Sequence, residues 1–138
     1  MSSEYLMDKL CFACGADNPH GLKLDIKEKD DGVEADIQLP SWTQGYHNTV
    51  HGGIISTVLD EMTVWAAYKK ANLKCVTGGL DIRIRTSMYT GQKYLAKAKV
   101  SLIKHRLVVA HAQIEDTTGK IIAQARAKLI RIGSTAHT

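Results

Sequence analysis

The run Asn48-Thr49-Val50-His51-Gly52-Gly53 precedes the most apolar stretch of the chain, and an Asp60-Glu61 pair lies inside that stretch. Adjacent glycines at a helix start remove side chains, so a ligand atom can approach the first-turn backbone N–H groups, which have no intrahelical partner. Aimed at a carbonyl oxygen, these donors and the helix dipole stabilise the oxyanion that forms when water or a carboxylate attacks an acyl group. Asp60 is flanked by Val58, Leu59 and Met62. A carboxylate there loses hydration and becomes a stronger base or nucleophile. Glu61 sits about 100° further round the helix and is expected to face a different, polar neighbour.

Asp60 is seven residues past Gly53, nearly two full turns and about 10 Å further along the helix axis. One chain therefore does not readily present both groups to the same acyl carbon. A two-fold dimer with antiparallel helices does, because the amino end of one helix lies beside the middle of the other. Two equivalent composite sites per dimer are expected, in a homodimer or a dimer of dimers.

The elements that must position these groups follow from periodicity. From Gly52 or Gly53 to about Ala71, the residues Ile54, Ile55, Val58, Leu59, Met62, Trp65 and Ala66 recur at helical spacing, and Val64 and Ala67 widen the apolar surface. Such a helix is buried on several sides. Before it, Leu22, Leu24 and Ile26 alternate with polar residues, and after Asp30-Asp31-Gly32 so do Val33, Ala35, Ile37 and Leu39, which predicts a hairpin. Pro40 to Val50 reads as a loop. Four alternating runs follow the helix, beginning at Leu80, Ala96, Val108 and Ala123. Their short connections suit antiparallel neighbours and leave no room for parallel crossovers. The inward alanines leave space for something bulky. The fold expected is α+β, a curved antiparallel sheet wrapped around one central helix.

At 138 residues and 15.2 kDa, the chain is expected to form a single domain, with residues 1–20 as an amino-terminal extension and 133–138 as a flexible tail. Hydrophobic residues make 44% and charged residues 23%, which excludes a disordered or collagen-like chain. Three cysteines, Cys11, Cys14 and Cys75, are an odd number and argue against a disulfide framework. Glu4 and Asp8 interrupt the stretch where a secretory leader would be basic and then apolar, and Asp60 and Glu61 interrupt the longest apolar run. A soluble, cytoplasmic protein with no membrane partner is expected.

Residues 1–82 carry seven Lys+Arg and twelve Asp+Glu, whereas residues 83–138 carry eleven and two. Such asymmetry invites an anionic partner. Arg83, Arg85, Lys97, Lys99, Arg126 and Lys128 fall on polar strand faces, but no aromatic residue alternates with them, which disfavours nucleic acid. Arg83 and Arg85 are candidates for phosphate binding. Cys11 and Cys14 have the spacing of half a zinc site, with only Cys75 and His20 as conceivable helpers. They are read as small packing residues, with no metal and no cofactor.

The helix-start segment resembles the hotdog-fold acyl-CoA thioesterases of the phenylacetate-type and THEM-like group, in which His-Gly-Gly precedes the central helix and an acidic residue follows nine positions after the His. His51 and Asp60 have that spacing. Cys11-Phe12-Ala13-Cys14-Gly15, Asn18-Pro19 and Gly21-Leu22 look like a recurrent opening of the THEM-like branch, and Thr77-Gly78-Gly79-Leu80-Asp81-Ile82-Arg83 resembles the following strand. The resemblance spans about Cys11 to Ile132. It implies a hotdog fold and hydrolysis of an acyl-CoA thioester to a free acid and coenzyme A. Asp60 then matches the base or nucleophile. Gly52 and Gly53, with His51, match the turn that polarises the carbonyl, and Thr77 matches a strand hydroxyl that positions water or the acid. Gln44 and Asn48 are both candidates for a side-chain amide that some relatives place before the His. The segment Thr86–Gly91 lacks the prolines many relatives carry there. Two other readings use the same pocket: a non-catalytic acyl-CoA sensor or carrier, and a hotdog hydratase or dehydratase that pairs His51 with Asp60.

Overall fold

Small inward side chains alternating with polar outward ones make one face of a sheet flat enough to receive a helix. The computed structural model describes residues 9–132. Its strands are β1 (Lys27–Glu28), β2 (Val33–Ile37), β3 (Cys75–Ile84), β4 (Tyr94–Lys104), β5 (Leu107–Asp116) and β6 (Ile121–Arg131), and the helix α1 (Gly52–Ala71) lies between β2 and β3. The six strands form one antiparallel sheet in the order β1-β2-β4-β5-β6-β3. The expected tail at 133–138 and the first eight residues of the expected extension lie outside the described residues.

Helix α1 touches all six strands. A flat sheet of that number is about 24 Å across, twice the diameter of a helix, so the sheet has to curl around α1. The inner face permits this approach. Ala96, Ala98, Ala112, Ala123 and Ala125 are buried on it in one cluster with Val58, Leu59, Met62 and Ala66 of the helix, and Ala110 and Ala127 in a second with Ala67. Ser41–Thr43 forms a single turn of 3-10 helix in the loop before α1. The helix ends where Asn72 enters the left-handed region (φ 58°) and returns its N–H to the carbonyls of Ala67 and Tyr68.

Two expectations are corrected. The first strand is not Leu22 to Ile26. Those residues run against the amino-terminal segment instead, with the Leu22 N–H donating to the Phe12 carbonyl (2.8 Å) and the Leu24 N–H to that of Ala13 (2.9 Å). Leu24 and Ala13 are buried in the core, and Cys11 and Cys14 pack against it. The alternation was real, but it recorded burial, and only Lys27 and Glu28 join the sheet. Second, β3 and β4 follow each other in sequence without being neighbours, since β3 pairs with β6 and β4 with β2 and β5. The curl of the sheet brings the end of β3 near the start of β4. The linker between them closes the roll beneath the helix start, where Met88 is buried and its carbonyl accepts the Val50 N–H (2.8 Å).

Leu59 has no exposed surface. Leu59→Ala is expected to cost about 2–5 kcal/mol of stability, read from chemical denaturation midpoints at unchanged slope.

Candidate active site

Thr77 reaches the helix because β3 carries one extra residue. Thr77 stands opposite Leu129 and Leu80 opposite Ala127, with the register shift between Thr77 and Gly79. Leu129 and Ala127 both point inward. Strict alternation would send Thr77 and Leu80 to opposite faces, and the bulge at Gly78 turns both toward α1. A side chain at Gly78 would place its Cβ 3.0 Å from Ile130 Cγ1, so glycine is the residue that fits. The Thr77 hydroxyl then donates to Asp60 Oδ1 at 2.5 Å. Both residues are half-buried. The structure thus joins two residues predicted from separate motifs.

At the helix start, His51 occupies the N-cap position and its Nδ1 accepts the Gly53 N–H at 2.8 Å. Its carbonyl takes the N–H groups of Ile54 (2.9 Å) and Ile55 (3.1 Å). Gly53 N–H, expected to face an acyl oxygen, is therefore occupied by His51. Among the described residues nothing bonds the Gly52 N–H, and both His51 and Gly52 are exposed. With Nδ1 as an acceptor, the neutral ring carries its proton on Nε2. The donors left facing outward are Gly52 N–H and His51 Nε2–H. Ile84 packs beside Gly52, where a Cβ would lie in ordinary contact with Ile84 Cδ1 at 3.6 Å.

Asn48 serves the loop that delivers these donors. It lies in the left-handed region (φ 61°), its N–H is held by Gln44 Oε1 (2.9 Å), and its carbonyl accepts from the Thr90 N–H (2.9 Å). Gln44 is thus an acceptor to Asn48 within the same turn. Arg83 and Arg85 belong to the other side of the sheet: Arg83 pairs with Gln124, and Arg85 Nε donates to Gln124 Oε1 at 2.6 Å. The chain does not bring either arginine to the face that holds Asp60.

Glu61 does face its own partners. Its Oε2 accepts from Trp65 Nε1 (3.0 Å) and from the Cys11 thiol (3.8 Å). Cys11, Cys14 and Glu61 place their ligating atoms within 4.8 Å of one another. Burial and the Glu61 carboxylate push the Cys14 thiol well above the usual range. The helpers considered from sequence lie elsewhere. Cys75 starts β3 opposite Arg131, with its thiol pushed up to about 11 by burial. His20 is exposed and turns back on Asn18. Sequence reasoning missed Glu61 as the neighbour of the cysteine pair, although an acid on a second face of a buried helix was a signal that something polar packs there.

The thioesterase superfamily model matches residues 47–123, more than half of the chain, and the chain belongs to the thioesterase superfamily. No curated protein matches the sequence. Among solved structures, the PaaI protein of the E. coli phenylacetic acid degradation operon is similar at 22% identity and a TM-score of 0.72, over 80% of this chain and 84% of that one. Zebrafish thioesterase superfamily member 2 gives 22% and 0.72, over 86% and 90%. A further thioesterase superfamily protein gives 17% and 0.81 over 88% of this chain, and there the chain spans 60% of the other's length. The sheet and central helix are the hotdog fold of these neighbours, and family membership supports thioester hydrolysis as the class of activity.

Thr77→Val removes the hydroxyl bond to the Asp60 carboxylate while keeping the shape. A bond to a charged group is worth about 1.5–3 kcal/mol, so turnover of a thioester substrate should fall roughly 10–100-fold, with Thr77→Ser recovering most of it in a thiol-release assay.

Proposed function

We propose that the chain hydrolyses acyl-CoA thioesters, with Asp60 as base or nucleophile and the glycine turn of a second copy polarising the carbonyl. The observation that carries this reading is the Asp60 carboxylate held by Thr77 on the half-buried side of a helix that begins with the outward donors of His51 and Gly52. Asp60 either takes a proton from water as the oxygen attacks the acyl carbon, or attacks that carbon itself. In both routes the carbonyl oxygen becomes an oxyanion facing Gly52 N–H and His51 Nε2–H. Collapse breaks the C–S bond and the coenzyme A thiolate leaves: in the first route it takes up the proton that Asp60 accepted, and in the second it takes one from solvent while water hydrolyses the acyl–aspartyl anhydride to the free acid and restores Asp60.

Strand β3 supports a dimer. It is a ten-residue edge strand, and Val76 and Ile84 on it are 44% and 47% exposed. A long edge of unpaired N–H and C=O groups is a template for another strand. Pairing β3 with its symmetry copy sets the two central helices side by side and antiparallel. Asp60 of one protomer then approaches the helix start of its partner. Arg83 and Arg85 flank Ile84, which packs toward Gly52, so coenzyme A phosphates that pass round the end of β3 come within their reach. Cysteines outside any disulfide among the described residues and this substrate suit a reducing, cytoplasmic setting.

Asp60→Asn keeps the shape and removes the base. Thiol release should fall by about 10²–10⁴-fold, with acyl-CoA still bound in a calorimetric titration. Unchanged turnover would overturn the assignment, and binding without release in the unaltered protein would make it an acyl-CoA carrier.

The shared site is tested by mixing two inactive variants, Asp60→Asn and Gly52→Val, after reversible unfolding. Random pairing gives heterodimers with one intact site each, so activity should return to about one quarter of the unaltered level. A site contained in one chain would show no recovery.

A further inference from the structure

The segment Lys9–Gly15 folds back on itself in a way that leaves one thiol under backbone control. The Gly15 N–H donates to the Cys11 carbonyl (2.8 Å) and the Asp17 N–H to that of Lys9 (2.8 Å). Within this loop the Cys14 N–H points at Cys11 Sγ (3.5 Å). Only glycine closes the turn, because a Cβ at Gly15 would lie 2.4 Å from Cys11 N and 2.4 Å from Lys9 O. Such a loop presents two sulfurs on one side, and here that side faces a carboxylate.

The carboxylate is held for the purpose by a separate residue. Trp65, one turn along α1 and only 5% exposed, donates its Nε1–H to Glu61 Oε2 (3.0 Å). This bond fixes the carboxylate beside the two cysteines. Cys11 Sγ lies 3.8 Å from Glu61 Oε2, and all three ligating atoms fall within 4.8 Å of one another. Ligands at about 2.3 Å for sulfur and 2.0–2.2 Å for oxygen around a tetrahedral ion stand roughly 3.5–3.8 Å apart, so small side-chain rotations would close the cluster to a coordination shell. The three residues are half-buried, so the cluster is partly accessible to solvent.

We propose that Cys11, Cys14 and Glu61 form a binding site for a thiophilic divalent cation, Zn²⁺ in the first instance, that ties the amino-terminal segment to the central helix next to Asp60. Two thiolates and an imidazole-free carboxylate select zinc over magnesium or calcium, which take oxygen ligands. Binding releases the two thiol protons, and the three anionic ligands exceed the charge of the ion by one. The role is structural, since Glu61 lies on a different face of α1 from Asp60 and the bound ion would pin the loop of residues 9–21 against the helix.

The site is tested by titrating the reduced, metal-free full chain with Co²⁺. One equivalent should give the near-ultraviolet thiolate-to-cobalt band and the visible bands of a tetrahedral ion, both displaced by Zn²⁺. Cys11→Ser and Cys14→Ser should abolish the thiolate band. Glu61→Gln should weaken binding by at least the roughly 10-fold that loss of even an outer partner costs, and Cys75→Ser should change nothing. Since a cysteine variant can fail to fold, the unaltered chain is also alkylated with and without Zn²⁺ and mapped by mass spectrometry. Zinc should protect Cys11 and Cys14. A chain that gives no thiolate band, keeps the band when both cysteines are replaced, or labels equally with and without zinc overturns the site. None of these readouts depends on thioester hydrolysis.

Discussion

Burying one helix that is apolar almost all the way round is the constraint on which the rest of this structure depends. Val58, Leu59, Met62 and Ala66 have no exposed surface at all, and each large apolar side chain taken out of water contributes about 1.5–3 kcal/mol. No single flat surface can cover such a helix. The sheet therefore curls, and curling is possible only where the inner side chains are small, as the alanines of β4, β5 and β6 are. Polar groups on such a helix must be met individually. Asp60 is met by Thr77, Glu61 by Trp65 and Cys11, and the Thr63 hydroxyl by the Asp60 carbonyl at 2.7 Å.

Period alone made much of this legible. Helical spacing from Ile54 to Ala66 located α1, and alternation located β2 and the three long strands after the linker, because one face of each is dry. The resemblance to hotdog thioesterases came from residues at the helix start and agrees with the family to which residues 47–123 belong. What period could not distinguish is an inward side chain paired in a sheet from one packed against a loop, so Leu22 to Ile26 looked like a strand. Nor does it report long-range pairing. The short link from β3 to β4 suited neighbours, yet two other strands, β5 and β6, lie between them in the sheet, and the curl closes the distance through space.

The candidate site was legible as residue types and less so as atoms. His51 was read as a companion to the glycines, whereas its Nδ1 caps Gly53 and leaves Gly52 as the open donor. A histidine directly before two glycines at a helix start is an N-cap by position, and an acceptor there bonds the N–H of one of the next residues. Arg83 and Arg85 fell on the polar face of their strand, and alternation alone already placed them opposite Leu80 and Ile82. Only the doubled glycine in Thr77-Gly78-Gly79 hinted at the bulge that turns Thr77 inward.

Two adjacent acids on the helix illustrate how one element serves two ends of a molecule. Consecutive residues on a helix diverge by about 100°, so Asp60 and Glu61 are kept from sharing a proton or a ligand even though their backbones touch. Thr77 approaches from β3 on one side, and Cys11 approaches from the amino-terminal loop on the other. Any disturbance of that loop therefore bears on the helix one residue away from the candidate base, through Glu61 and the Trp65 indole that holds it. The first strand of an ordinary hairpin would have left this side of α1 covered by sheet. Because Leu22 to Ile26 instead follow the loop, the chain has a polar contact on that side that can be strengthened or released without breaking the sheet.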